Sequence, residues 1–241
     1  MNVLAIGNSF SQDATRYLHG VARADGVPLH VVNLYIGGCS LERHYRNMLS
    51  GERAYILQCD GVSTGFNVSL AEALTNRQWD VITLQQVSTL SFDRESYLPY
   101  ITVLADFVRK YAPRAKVFLH QTWAYADGSD RLAALGRFAT AADMLKEIVA
   151  ANKEIAAAIA VDGIIPSGEL MQGLLSAGVP SVHRDTTHAS LGLGRYALAL
   201  LWYRVLLGTG VSGNIFSDFD EEIGESDRIL AKSLVDGVKI K

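Results

Sequence analysis

Asn2-Val3-Leu4-Ala5-Ile6-Gly7-Asn8-Ser9-Phe10-Ser11 begins as a buried strand and ends as a turn. Val3 to Ile6 is an unbroken apolar run with β-branched residues at both ends, the pattern of a strand covered on both faces. Gly7 punctuates it, and Asn8 and Ser9 stand where the strand must stop. From about residue 12 to 24, Ala14, Tyr17, Leu18, Val21 and Ala22 recur at helical spacing. Ser9 therefore lies in a strand-to-helix turn. Open α/β sheets receive ligands along the carboxyl edge of their strands, and a helix N-terminus favours negative charge there. Two roles stay open for Ser9 on this reading: a helix cap or a reacting group.

The pattern repeats along the chain. Strands are expected at 29–36, 80–84, 116–120 and 163–166. Helices are expected at 41–49, 69–76, 94–111, across the Ala-rich stretch up to 160, and at 169–176, 191–207 and 227–238. Residues 51–68 read as irregular, with room for a small hairpin. Strands alternating with helical crossovers imply a parallel sheet with helices on both faces. The expectation is a single domain over residues 1–241, a three-layer α/β/α sandwich around a five-stranded parallel sheet in flavodoxin-like order.

Composition narrows the function classes. With 49% hydrophobic and 20% charged residues, the chain fits a soluble globular protein. A net charge of −3 without a basic block argues against nucleic acid or an anionic membrane as partner. Cys39 and Cys59 alone make no disulfide framework. No signal peptide precedes the first strand and no apolar run is long enough to span a bilayer, which points to the cytoplasm, or to secretion if a leader has been removed.

Polar groups gather at the ends of three strands: Ser9, then Gly37-Gly38, then Gln85-Gln86. A late loop adds Asp185 and His188, three residues apart, a spacing that lets both face inward from one turn. A serine nucleophile needs such a base, and the base needs an orienting group; the alternative is Asp185 as a helix cap and His188 as a surface residue. Rival motifs are weaker. Gly61-Val62-Ser63-Thr64-Gly65 has the form of a nucleophile elbow but lacks the flanking strand and helix. The glycines of 208–213 follow a helix, where a dinucleotide loop requires a strand. His183, Asp185 and His188 have the donor types of a metal site without a second supporting cluster. Asn67-Val68-Ser69 is a glycosylation sequon whose Ser69 already reads as a helix cap.

Taken together, the blocks resemble the SGNH (GDSL-like) hydrolases. Gly7-Asn8-Ser9-Phe10 is similar to the Gly-Asp-Ser-Leu block, Gly38 falls at the second glycine, and Asp185-Thr186-Thr187-His188 matches the last block. The third block departs, with Leu84-Gln85-Gln86 in place of Gly-x-Asn-Asp, which is similar to a poorly characterised branch. The resemblance implies Ser9 as nucleophile, His188 as base and Asp185 as orienter. It also implies an oxyanion hole from the N–H groups of Ser9 and Gly38, with a side-chain amide from Gln85 or Gln86. Trp123, Tyr35 and His44 are the candidates for substrate contact, Trp123 by stacking on a sugar. The implied activity is a serine esterase acting on short O-acyl esters, acetyl above all, on a small-molecule or glycan substrate, with no cofactor and no metal. The alternatives are a catalytically silent glycan-binding module and a lipid or thioester hydrolase. Oligomeric state is not legible.

Overall fold

The computed structural model describes residues 1–239. In chain order, β1 (Asn2–Gly7) leads into α1 (Ser9–Thr15) and α2 (Leu18–Ala24), then β2 (His30–Tyr35) and α3 (Leu41–Ser50). The hairpin β3 (Tyr55–Cys59) and β4 (Val62–Val68) precedes α4 (Leu70–Thr75) and β5 (Val81–Leu84). A short 3-10 turn (Arg94–Tyr97), α5 (Tyr100–Tyr111), β6 (Lys116–His120), α6 (Asp130–Ala133) and α7 (Ala141–Ala158) follow. The chain ends with β7 (Gly163–Ile165), α8 (Ser167–Ser176), α9 (Leu193–Leu207) and α10 (Glu225–Asp236).

The sheet runs β4-β3-β2-β1-β5-β6-β7. Its five parallel strands, β2-β1-β5-β6-β7, have the expected flavodoxin-like order. Side chains on β1 alternate between faces. Val3 and Ala5 join a core with α1, α2, α8, α9 and α10, and Leu4 and Ile6 join a second core with α3, α4 and α5. These are the two outer layers of an α/β/α sandwich.

The sheet has seven strands, where five were expected. The two additional ones are β3 and β4, which extend it antiparallel from β2. Most of β4 is exposed, so it has no apolar face for a periodicity to reveal, and its backbone ladder holds it with the Thr64 hydroxyl on Leu57 O at 2.8 Å. Three expected helices are each divided. The first breaks after Thr15, whose hydroxyl turns back to the Ser11 carbonyl at 2.8 Å, a bond that competes with helix continuation. The second breaks at Pro99, which has no N–H to offer. The third breaks around Gly136, with φ +62°, and restarts at Thr140, which forms a capping box with Asp143. No described helix is long and apolar enough to cross a membrane.

Candidate active site

The helix after β1 starts where it does because Asn8 caps it: the Asn8 Oδ1 accepts the Phe10 N–H at 3.0 Å. Ser9 is thus released from capping, and its Oγ lies 2.8 Å from His188 Nε2. On the other side of the ring, Nδ1 is 2.8 Å from Asp185 Oδ2. Asp185 caps no helix, since α9 begins only at Leu193. Its Oδ1 accepts the N–H of His188 at 2.7 Å and of Thr187 at 3.0 Å. Burial raises the Asp185 pKa, but the hydrogen bonds from the His188 backbone and ring and from Thr187 outweigh it and hold the carboxyl down to about 2. The carboxylate only accepts, so Nδ1 carries the ring proton. Nε2 is then bare and accepts from the Ser9 hydroxyl.

The loop carrying Asp185 and His188 is a tight antiparallel turn, closed by the His183–Ala189 bridge and by Ser190 N–H to Val182 O at 2.8 Å. Trp123 braces it from below: its Nε1–H donates to Thr187 O at 2.9 Å, and its ring stacks on Phe10 at 4.1 Å. Trp123 is buried by this packing, so the expectation that it stacks on a sugar is corrected. Asp13 of α1, fully buried, grips the same loop. It accepts from Arg184 Nη1 at 2.8 and 2.9 Å, from Arg195 Nε at 2.9 Å and from Ala189 N–H at 3.1 Å. The segment bearing Ser9 and the loop bearing His188 are therefore joined through one buried carboxylate. Sequence reasoning missed Asp13, although the signal was present: it falls between Phe10 and Tyr17 on the apolar stripe, where an unpaired acid is not tolerated.

Gly38 occupies the third position of the turn Ile36–Cys39, closed by Cys39 N–H to Ile36 O at 3.2 Å. Its φ of +60° is the left-handed value that this position of a type II turn requires. The turn bond leaves the Gly38 N–H unused. As the first residue of α1, Ser9 also has no intrahelical acceptor for its N–H.

Both glutamines are engaged elsewhere, which corrects the expectation that one points an amide at the oxyanion. Gln86 Nε2 donates to Ser96 O (2.9 Å) and Ser96 Oγ (3.1 Å), and its Oε1 accepts from Leu41 N–H (3.0 Å) and Val87 N–H (2.9 Å). Gln85 Nε2 donates to Asn8 Oδ1 at 2.8 Å, and its Oε1 lies 2.8 Å from His120 Nδ1. Burial depresses the His120 pKa to about 3, so this ring is neutral and donates through Nδ1. Asn8 Nδ2 in turn donates to Cys39 O at 3.1 Å. One directed chain, His120 to Gln85 to Asn8 to Cys39 O, ties the ends of four strands, β6, β5, β1 and β2, together. Gly7 has to be glycine here, because a Cβ would meet Gln85 Oε1 at 2.6 Å and Ser11 Oγ at 2.5 Å.

This chain explains why Asn, and not Asp, precedes the serine. Asn8→Asp would set an anionic oxygen against the Cys39 carbonyl in a buried position. The expected loss is about 3 kcal/mol, the order associated with a buried acceptor facing another acceptor. Urea unfolding of the variant measures it, and an unchanged midpoint would contradict the hydrogen-bond direction assigned here.

His44 is also corrected as a substrate contact. It is fully buried against Tyr55 Oη (3.0 Å) and Cys39 Sγ (3.5 Å), and burial lowers its pKa to about 3. Tyr35 stays half-buried beside the glycine turn, its hydroxyl 3.3 Å from where a Cβ on Gly37 would lie. His183 turns its Nε2 to Ala124 O at 3.1 Å, and both His188 nitrogens face Ser9 and Asp185, so these residues do not converge as metal ligands. Ser63 sits exposed on β4 with no elbow, and Gly208 ends α9 in a left-handed conformation. Ser69 caps α4.

Comparison with known proteins places this geometry in context. The family model described as Domain of unknown function (DUF4886) matches residues 2–234. A DUF4886 family protein from Bacteroides uniformis ATCC 8492 is 34% identical, with a TM-score of 0.92 over 98% of this chain and 93% of that one. A protein from Slackia heliotrinireducens, provisionally described as an SGNH hydrolase, is 22% identical, with a TM-score of 0.61 over 85% of this chain and 97% of that one. The acetyl xylan esterase AlAXEase is 14% identical, with a TM-score of 0.57 over 85% of this chain and 100% of that one. The last two are similar in fold alone, and that fold is the SGNH hydrolase fold. No curated protein matches the sequence.

Proposed function

This chain belongs to the DUF4886 family, and from that premise and its site geometry we propose that it is a serine esterase that removes short acyl groups, acetyl foremost, from a hydroxylated substrate. The observation that carries the reading is the unbroken line Asp185–His188–Ser9 with a serine that caps nothing. Ser9 Oγ attacks the ester carbonyl carbon as His188 Nε2 takes its proton. The tetrahedral oxyanion is held by the N–H groups of Ser9 and Gly38 at the start of α1, where the helix dipole adds to them. The bond to the alkoxy oxygen then breaks, and that oxygen leaves as an alcohol with the proton from His188. Water, deprotonated by the same nitrogen, releases the acid from the acyl-serine. Asp185 holds the ring in the required tautomer throughout.

The exposed residues that follow the carboxyl ends of the strands support a polar alcohol. They include Arg43, Arg46, Thr89, Asp127 and Asp130, with Tyr35 beside the glycine turn. Ser88 is not among them: it is buried, with its hydroxyl 2.9 Å from Tyr125 Oη. A groove of about 1300 Å³ with the apolar residues Phe118, Ile164, Leu170 and Leu206 in its wall contains none of Ser9, Gly38, Asp185 or His188. A long acyl chain gains about 0.8 kcal/mol per buried CH₂ only where such a wall adjoins the nucleophile.

The test has two parts. A fluorophosphonate should label Ser9 stoichiometrically, which a silent glycan-binding module would not permit. Across p-nitrophenyl esters from acetate to decanoate, kcat/KM should fall with chain length, and acetylated xylan or acetylated monosaccharides should release acetate. A kcat/KM that rises with length, without acetate release from any sugar, would favour the lipid or thioester hydrolase instead.

A further inference from the structure

A second cluster of functional side chains lies at the other edge of the sheet. His30 opens β2, and a strand of that length carries it roughly 20 Å from the edge that holds Ser9. His19 reaches it from α2, and Asp60 from the turn between β3 and β4. We propose that His19, His30 and Asp60 form a binding site for a borderline divalent cation, Zn²⁺ in the first instance. This proposal is independent of the reaction at Ser9 and replaces the sequence-based expectation of no metal.

The geometry carries it. One donor atom from each residue lies within 4.8 Å of the other two. A tetrahedral zinc ion with bonds of about 2.0–2.2 Å holds neighbouring donors roughly 3.3 Å apart. His19 Nδ1 is 3.4 Å from Asp60 Oδ1, and His30 Nδ1 is 3.1 Å from Asp60 Oδ2. The two imidazoles stack at 5.4 Å and 25°, so both present Nδ1 toward the one carboxylate. The carboxylate is itself held in place. Asp60 adopts φ +51°, its N–H donates to Val31 O at 2.8 Å, and its Oδ1 accepts Val31 N–H at 2.9 Å. Such backbone support is what orients a metal-binding carboxylate. His19 Nδ1–H donates to the Leu29 carbonyl at 2.7 Å, which fixes that ring beside Asp60. Two imidazole nitrogens with a carboxylate oxygen suit zinc, cobalt or nickel better than magnesium or calcium. On binding, each ring carries its proton on Nε2 and gives the Nδ1 lone pair to the metal, so His19 exchanges its Nδ1–H bond to Leu29 O for the ion. The ion would pin the β3–β4 hairpin and α2 to the start of β2.

Isothermal titration with Zn²⁺, and visible absorption with Co²⁺, test this on the full chain. One equivalent of Zn²⁺ should bind, Co²⁺ should give the intense bands of tetrahedral coordination, and Zn²⁺ should raise the Tm. His30→Ala and His19→Ala should each weaken binding by more than about 100-fold, since losing a mere supporting partner already costs about 10–100-fold. His30 is 55% exposed, so its replacement leaves the fold intact even if His19→Ala does not fold. Ester hydrolysis by His30→Ala should equal that of the parent. Absence of binding in the parent, or binding that survives His30→Ala undiminished, would overturn the assignment.

Discussion

Ser9→Ala is expected to lower kcat for acetate-ester hydrolysis by roughly 10⁶-fold, the scale on which loss of a triad nucleophile acts, and to leave the Tm within about a degree of the parent. The second half follows from the cap. Asn8 supplies the oxygen that holds the Phe10 N–H, so the Ser9 hydroxyl contributes nothing to the helix start. Its partner in the structure is His188. Asp185 offers a finer discrimination. Its Oδ1 is held by two backbone N–H groups, so in Asp185→Asn the amide oxygen takes that place and the NH₂ faces His188 Nδ1. The ring must then put its proton on Nε2, where it cannot accept from Ser9, and the loss should approach about 10⁴-fold. In Asp185→Ala no donor opposes Nδ1. The native side chain is 54% exposed, so water reaches the vacated position and keeps the productive tautomer populated. Asp185→Ala should therefore be the more active of the two, by at least about tenfold. Equal activities in steady-state assays would remove the tautomer argument, and full activity of Ser9→Ala would remove the triad.

What was legible in the sequence was what repeats or alternates. The runs of β1, β2 and β5 are buried on both faces, those of β6 and β7 are apolar beside them, and the ends of β1 and β2 bring Ser9 and Gly38 to one edge. Asp185 and His188 were legible because three residues is the span of one turn. Residues 51–68 read as room for a hairpin, but its joining the sheet as β3–β4 was not legible, since an exposed edge strand carries no apolar alternation to encode the pairing. Side-chain direction was equally hidden. His44 lies on the inner face of α3, and Trp123 turns under the 185–188 loop, so both support the site without facing a substrate. Gln85 and Gln86 have the right chemistry for an oxyanion donor, but Asn8 and Ser96 claim their amides across the fold.

Asp13 shows how far such support reaches. Asp13→Asn is expected to lower kcat by about 100-fold with little change in KM, the penalty associated with a displacement of about 1 Å at a reacting group. The carboxylate is fully buried and meets two guanidinium groups and the Ala189 N–H. An amide of the same shape loses the charge and turns an NH₂ toward one of those donors. Breaking a buried pair from one side typically costs about 3–5 kcal/mol. The lower end applies here, because Arg184 is 27% exposed and Arg195 also binds Asp220. The loop is what moves. Arg184 is adjacent to Asp185, and Ala189 is adjacent to His188, so releasing either detaches the base from the helix that begins at Ser9. Asp220→Asn is the matched control. Asp220 binds Arg16 and Arg195 and, among the described residues, makes no hydrogen bond or ion pair with residues 183–189, so Asp220→Asn should change stability by no more than about 1 kcal/mol. Its rate of fluorophosphonate labelling at Ser9, measured well below the Tm, should match the parent. That rate should fall in Asp13→Asn in parallel with kcat. Equal labelling in the two variants would mean that Asp13 holds the fold together without setting the distance between Ser9 and His188.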